Sequence, residues 1–343
     1  MHLTDGFAES VCRLELLEPG QRDEFERLRA RSRSPQALAG KLYRRGWLTP
    51  MQLRWLARGQ GHRLVLGPYV LLDRMGRGGM AEVFKARHRR LGRLAAVKTV
   101  RPDKRGDPRV VERFLREVRA VARLDHPHVA HAYDAGKAGR TYFLAVEYAE
   151  GPDLRRLLQE NGPLEPAQAC WFARQAALGL AHLHGRGLVH RDVKPSNLAL
   201  SRDGVIKVLD VGLARAGAWA LGAAEAAGLT RAGSLVGTAD YVAPEQVEDP
   251  RRADGRSDLY ALGCTLYHLL SGRVPFPEGT PVQKALRHLS EQPEPLAQVR
   301  PGLPPALLHA VGRLMAKRPA ERYADALEAA DVLAAAATSP AAA

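Results

Sequence analysis

The chain has 343 residues, 45% of them apolar and 26% charged, with a formal net charge of +14. That length suffices for two or three compact units, and the composition excludes wholesale disorder. The excess charge is mostly arginine, scattered and without interleaved aromatics. It therefore suits ion pairs and phosphate capture better than a nucleic-acid strip. The longest apolar stretch, Leu259 to Leu270, is too short to span a bilayer and contains His268. Asp5 and Glu9 stand where a signal peptide would have a basic start, and Cys12, Cys170 and Cys264 form no metal-ligand pattern. Together these features suggest a cytoplasmic chain.

Residues 1–66 read as helical, with Phe25, Leu28, Leu38, Leu42, Tyr43, Leu53 and Leu56 near three- and four-residue spacings. Ser34-Pro35 and Thr49-Pro50 each look like an N-cap followed by proline in the first turn. From Gly67 the pattern changes to strands over 69–72, 82–86 and 94–100, separated by Gly-containing turns. A charged amphipathic helix is predicted over 112–124 and an apolar strand over 142–148. After Gly151 the texture is helical, with long helices expected near 166–185, 256–271, 304–316 and 324–336. A sheet-rich half followed by a helical half predicts an α+β chain of two lobes. The expected division is a helical extension at 1–66, a small lobe at 67–150, a larger lobe at 151–337 and a tail at 338–343.

Several segments have the residue types that phosphoryl transfer requires: a phosphate cradle, neutralising charge, metal ligands and a group to orient the attacking hydroxyl. Gly76-Arg77-Gly78-Gly79-Met80-Ala81, preceded by Met75 and followed by Glu82 and Val83, reads as the cradle. Its glycines allow backbone N–H groups to approach phosphate oxygens. Alone this motif is weak, because Gly-rich turns between strands are common. Lys98, at the end of Ala95-Ala96-Val97-Lys98, is either an exposed strand end or an ammonium set beside phosphates. Glu117, on the following helix, is the candidate carboxylate to hold it; a solvated helix face is the bland alternative.

The most specific signal is His190-Arg191-Asp192-Val193-Lys194-Pro195-Ser196-Asn197. Asp192 would accept the hydroxyl proton, Lys194 would neutralise the moving phosphoryl group, and Asn197 would give Mg²⁺ an oxygen ligand. A short β-ribbon pattern at Leu198–Leu200 and Val205–Val208 leads to Asp210-Val211-Gly212, where Asp210 is the second candidate metal ligand.

Together these segments resemble the eukaryotic-like protein kinases of bacteria, over residues 67–335. Further matches are Gly237 to Glu245, Asp258 in Ser257-Asp258-Leu259-Tyr260, and Arg322 in Pro319-Ala320-Glu321-Arg322-Tyr323. The resemblance implies a two-lobed kinase fold that binds ATP between the lobes with Mg²⁺, or Mn²⁺ in its place. Glu147 and Tyr148 would lie in the hinge that receives adenine, with Val146 as gatekeeper and Asp153 near the ribose. Glu245 would pair with Arg322, and Asp258 would brace the catalytic loop. Lys194 and Thr238 match the serine/threonine-specific branch, so transfer to Ser/Thr hydroxyls of proteins is expected. Arg191 would receive a phosphate on the activation segment, placed by autophosphorylation in trans at Thr230 first and Ser234 second.

Two positions depart from the family pattern: Ala81 replaces a glycine, and Val211 replaces the usual phenylalanine. The expected partners are protein substrates, with neither nucleic acid nor membrane. A silent scaffold of the same fold is the competing reading. The helical extension at 1–66 reads as a docking or regulatory module, and it resembles the segment preceding the kinase domain in planctomycete-type kinases. A DNA-binding helix-turn-helix at 38–59 is its alternative, although no base-reading face is evident.

Overall fold

The computed structural model describes residues 6–210 and 239–338. Val211, Thr230, Ser234, Gly237 and Thr238 therefore lie outside the described residues. The chain divides into two compact units, Met1–Glu112 with Ala132–Tyr148, and Arg113–His131 with Ala149–Ala343.

The first unit opens with four short helices: α1 (Phe7–Arg13), α2 (Arg22–Ala30), α3 (Pro35–Arg44) and α4 (Pro50–Ala57). The two Ser/Thr-Pro signals work as capping chemistry predicts. Ser34 accepts the N–H of Ala37 and Thr49 that of Gln52, each with proline at the first helical position. Six antiparallel strands follow: β1 (Val65–Leu66), β2 (Tyr69–Arg77), β3 (Ala81–His88), β4 (Leu94–Val100), β5 (Ala132–Ala138) and β6 (Thr141–Glu147). Their spatial order is β1-β2-β3-β4-β6-β5.

Strand register sorts the side chains onto two faces, since directly paired residues share a face and neighbours along a strand alternate. One face bears the rows Leu71–Ala86–Ala95, Phe84–Val97–Ala145 and Glu82–Thr99–Phe143. It is buried and continuous with the core of the helices, where Phe25, Leu42, Leu48 and Leu64 are almost wholly enclosed. Each such side chain contributes about 1.5–3 kcal/mol by leaving water. Polar ties reinforce the seam. Thr49 Oγ1 donates to the Leu72 carbonyl, buried Gln52 donates to Leu71 O at 3.0 Å, and Arg87 donates to Leu16 O at 3.0 Å. Arg87 also pairs with Glu18, and Arg89 with Glu15. The helices of the extension thus share one core with the sheet.

Helix α5 (Pro108–Val121) starts four residues earlier than its periodicity predicts. Asp107, just before Pro108, accepts the Arg109 N–H at 2.9 Å and marks the true start. The chain after α5 belongs to the second unit because residues 128–130 join its ribbon. Val208 N donates to His128 O at 2.9 Å, and Ala130 N donates to Val208 O at 3.0 Å.

The second unit contains α6 (Leu154–Asn161), α7 (Pro166–His184), the ribbon β7 (Leu198–Leu200) and β8 (Ile206–Val208), and α8 (Pro244–Glu248). It continues with α9 (Gly255–Ser271), α10 (Pro281–Ser290), α11 (Leu296–Val299), α12 (Pro305–Leu314) and α13 (Ala326–Ala337). Helix α7 packs against α9, α13 and β8. Gly179 permits the last contact, since a Cβ there would sit 2.6 Å from His128 O and 2.9 Å from Val208 Cγ2. Among the described residues no helix is long and apolar enough to cross a membrane.

Candidate active site

In the first unit, the sheet face opposite the helices bears Val83, Lys98 and Leu144 in one row and Lys85, Ala96 and Val146 in the next. Of these, Val83, Lys85, Ala96, Lys98 and Val146 are half-buried, where the other face is closed. An ammonium set among small and branched apolar side chains suits an aromatic, phosphate-bearing ligand. Tyr148, just beyond β6, has the Lys85 ammonium 4.7 Å from its ring centroid. Glu82 is turned away from this group. It lies on the closed face, with its carboxylate 3.5 Å from Arg77 and 3.6 Å from Arg74.

The turn between β2 and β3 is tied at its base. Gly78 N donates to Ala81 O at 2.8 Å, and Arg101, itself paired with Asp103, donates to the carbonyls of Gly78 and Gly79 at 3.2 and 3.3 Å. None of Gly76, Gly78, Gly79 or Ala81 has a positive φ, so alanine is accommodated at 81. A Cβ on Gly76 or Gly79 would meet nothing within 4 Å, and one on Gly78 only Ala81 O at 3.6 Å. The protein itself therefore gives no conformational or packing reason for three glycines here. Close approach of a ligand to the backbone would be such a reason, and the open turn fits the phosphates of a nucleoside triphosphate. Met75, just before the turn, is half-exposed. Gly79→Val is expected to leave the melting temperature nearly unchanged. It should weaken ATP binding about tenfold, or about 1.4 kcal/mol, in a calorimetric titration.

In the second unit, residues 190–197 form a connected loop. Lys194 Nζ lies 3.0 Å from Asp192 Oδ2. Asn197 Nδ2 donates to Asp192 O at 2.8 Å and to Asp192 Oδ2 at 3.0 Å. Because both partners are acceptors, the Asn197 side-chain nitrogen is engaged, and its side-chain oxygen Oδ1 is the atom that would bind a cation. Leu209 N donates to Asn197 O at 2.8 Å, so the residue before Asp210 is tied to the same loop. Asp210 has φ +50°, a left-handed conformation that aspartate tolerates better than most residues. Among the described residues no three His, Cys, Asp or Glu side chains cluster to hold a metal. An asparagine and an aspartate are the kind of sparse ligand set that leaves a Mg²⁺ ion to share with phosphates and water.

The loop is held from below by Asp258, which is buried on α9. Its carboxylate accepts the N–H groups of His190 at 2.8 Å and Arg191 at 2.7 Å. His184 Nε2, 2.8 Å from Asp258 Oδ2, completes this site, and nothing in the local sequence marks it. Arg191 has φ +65°, an unfavourable conformation for a long side chain that these bonds stabilise. Gln246 Nε2 also donates to Arg191 O, at 3.3 Å. His190 Nε2 is 2.7 Å from Leu209 O, linking the loop to the approach to Asp210.

Glu245 and Arg322 meet through two bonds of 2.7 and 2.9 Å, with both residues buried. Arg322 also donates to the carbonyls of Ala316, Arg256 and Lys317, while Ser257 Oγ donates to Glu245. Burial alone would raise the Glu245 carboxyl. The Arg322 bonds and charge, helped by Ser257, overcome that and hold it below its ordinary value. Asp153 caps α6, accepting the Arg156 N–H at 2.8 Å. Glu117 is buried on α5 in the second unit, whereas Lys98 belongs to the first.

Residues 69–334 match the model of the protein kinase domain family. The chain belongs to this family. It is 39% identical over 264 residues to the serine/threonine-protein kinase PknB of Mycobacterium leprae, an alignment covering 76% of this chain and 41% of that protein. It is 40% identical over 259 residues to PknL of Mycobacterium tuberculosis, covering 76% and 63%. The chain thus spans less than two thirds of the length of these relatives. The crystal structure of the PknI kinase domain of Mycobacterium tuberculosis superposes with a TM-score of 0.60 at 27% identity, over 79% of this chain and 97% of that one. The kinase domain is accordingly of the bacterial serine/threonine class. Residues 6–68 precede the matched segment, yet they share its first core.

Proposed function

We propose that this protein is a serine/threonine kinase that transfers the γ-phosphoryl group of ATP to Ser/Thr hydroxyls of other proteins. The observation that supports it most is the Asp192–Lys194–Asn197 constellation on a loop braced by Asp258. In this reading Asp192 accepts a hydrogen bond from the substrate hydroxyl and takes its proton as the oxygen–phosphorus bond forms and the bond to ADP breaks. Lys194 neutralises charge on the transferred group. Lys98 and the backbone of residues 76–81 are assigned to the triphosphate, and Glu117 is assigned the role of carboxylate in the same reading. Asn197 and Asp210 are the residues that would hold Mg²⁺, which supplies charge neutralisation at the phosphates.

Adenine is assigned to the Glu147–Tyr148 hinge and the ribose to Asp153. The Asp153 cap uses one carboxylate oxygen, and the second is left for the sugar. Arg191 is assigned to a phosphate on Thr230 or Ser234, placed by another copy of the chain. A cytoplasmic location and the planctomycete-type resemblance of the extension belong to the same reading. The helix-turn-helix alternative is disfavoured because Leu38, Leu42, Met51 and Leu53, which would form its core, belong to one buried cluster with the residues of the sheet.

The test is phosphate incorporation from Mg-ATP into the purified chain and a generic protein substrate, followed by site mapping. Label on Thr230 or Ser234 and on substrate Ser/Thr is the expected result. Nucleotide binding with no incorporation under any condition would replace the reading with that of a silent scaffold.

A further inference from the structure

Helix α5 presents two distinct faces. Phe114, Glu117 and Val121 are buried, while Arg116, Arg119 and Ala120 lie on a neighbouring, more exposed side, and Arg123 follows in the turn just after the helix. Together with Arg186 and Leu188, from the turn between α7 and the catalytic loop, they line a cavity of about 410 Å³. All six residues belong to the second unit. Four guanidinium groups share this concavity, and among the described residues no carboxylate lines it.

The bland explanation is that cations near the C-terminal end of a helix complement its dipole. That covers Arg119 and Arg123 but not Arg186, which reaches the same cavity from another element. Arg186 is moreover held in place. Its Nη1 donates to His182 Nδ1 at 3.1 Å, and the His182 ring lies 4.8 Å from that of His126. Burial first, then the neighbouring positive charges, lowers both histidines, His126 to about 4, so both are neutral acceptors at physiological pH. An arginine oriented by a neutral acceptor keeps its remaining N–H groups directed at a ligand at a reduced entropic cost.

The geometry points to a docking site, separate from the phosphoryl-transfer residues, for a phosphorylated serine or threonine side chain of a partner protein. Guanidinium forks match the oxygens of a phosphomonoester dianion better than a single carboxylate matches four cations. Ala120 and Leu188 supply an apolar surface for the peptide flanking the phosphate. The volume suits a side chain with its neighbours rather than a bare ion. The choice of phosphate over carboxylate rests on the kinase reading; the basic cavity does not. Because Glu117 lies on the same helix between Arg116 and Arg119, an occupied site would also steady the helix that presents it.

The experiment is fluorescence anisotropy of a labelled phosphothreonine peptide and its unphosphorylated twin, titrated with the full chain at about 0.15 M salt. The phosphopeptide should bind about tenfold tighter than the twin. That preference should vanish in Arg119→Glu/Arg123→Glu and weaken in Arg186→Gln, with melting temperature and ATP affinity retained. Equal binding of the two peptides overturns the inference. So does a preference that survives the double charge reversal and is lost in Arg191→Gln.

Pre-incubation with Mg-ATP distinguishes the sources of the ligand. Unchanged peptide binding supports a partner protein. Binding that is blocked, and restored by phosphatase, supports the same site filled by a phosphate of the chain itself. Binding is read without turnover, so a chain that docks the phosphopeptide but transfers no phosphate leaves this inference standing while the kinase reading fails.

Discussion

Asp192→Asn is expected to lower phosphoryl transfer by about 10²–10⁴-fold, the range removed with a positioned general base. That equals about 2.7–5.5 kcal/mol of transition-state stabilisation. The amide keeps the shape of the side chain and can still accept from Asn197, whose Nδ2 now donates to Asp192 Oδ2 at 3.0 Å. It loses the charge that pairs with Lys194 at 3.0 Å and the basicity needed to take a hydroxyl proton. ATP affinity should stay within about twofold, because the turn at 76–81 that is proposed to hold the triphosphate is not touched. Rapid-quench measurement of transfer beside an equilibrium titration of ATP separates the two effects. A rate equal to wild type would show that the catalytic loop is misassigned. A parallel loss of ATP affinity would point to a collapsed loop instead.

The second large effect is structural. Arg322→Met should destabilise the second unit by about 3–5 kcal/mol, because it leaves the Glu245 carboxylate buried without its partner. For a domain of this size that is a fall in melting temperature on the order of 10 °C. The arginine is 3% exposed and makes five hydrogen bonds, two of them to Glu245. Replacing both partners, as Glu245→Leu/Arg322→Met, should recover much of the loss, since the double variant removes the stranded charge as well as the pair.

The pair also predicts the sign of a pH effect. Glu245 is held below its ordinary carboxyl value in the folded chain, so the unfolded state binds the proton first as pH falls. Its contribution is complete above the unfolded value and is lost as pH drops through the folded one. The wild type should therefore lose part of its stability on acidification below about pH 4.5. The Glu245→Leu/Arg322→Met variant should lack that component. Thermal melts across about pH 3 to 7 on both proteins, in matched buffers of about 0.15 M salt, provide the comparison. Identical acid profiles would remove Glu245 as the source.

Elements whose signals are local are legible in the residues alone. Ser34 and Thr49 cap their helices because a hydroxyl before proline satisfies free N–H groups wherever the chain then goes. Residues 94–100 and 142–147 alternate or run apolar strongly enough to be strands in many contexts. The segment 190–197 was legible because several chemically demanding residues recur in fixed order, and spacing survives without knowledge of the fold.

Other features depend on partners distant in the chain and follow only from the folded arrangement. Strand β5 reads Ala132-Tyr-Asp-Ala-Gly-Lys-Ala, with weak β-propensity, and exists because β6 offers it a hydrogen-bonding edge. Only strand register shows that Glu82 faces away from Lys98 although it adjoins Val83, since a strand sends neighbours to opposite faces. His184 beneath the loop at 190–197 and Arg186 beside α5 come from the end of one helix and the turn after it, and no local pattern distinguishes them. The extension at the start of the chain reads as helical in sequence. Its apolar faces are closed by the sheet that follows, because burying one face of a helix requires a second layer, and a periodic pattern does not say which.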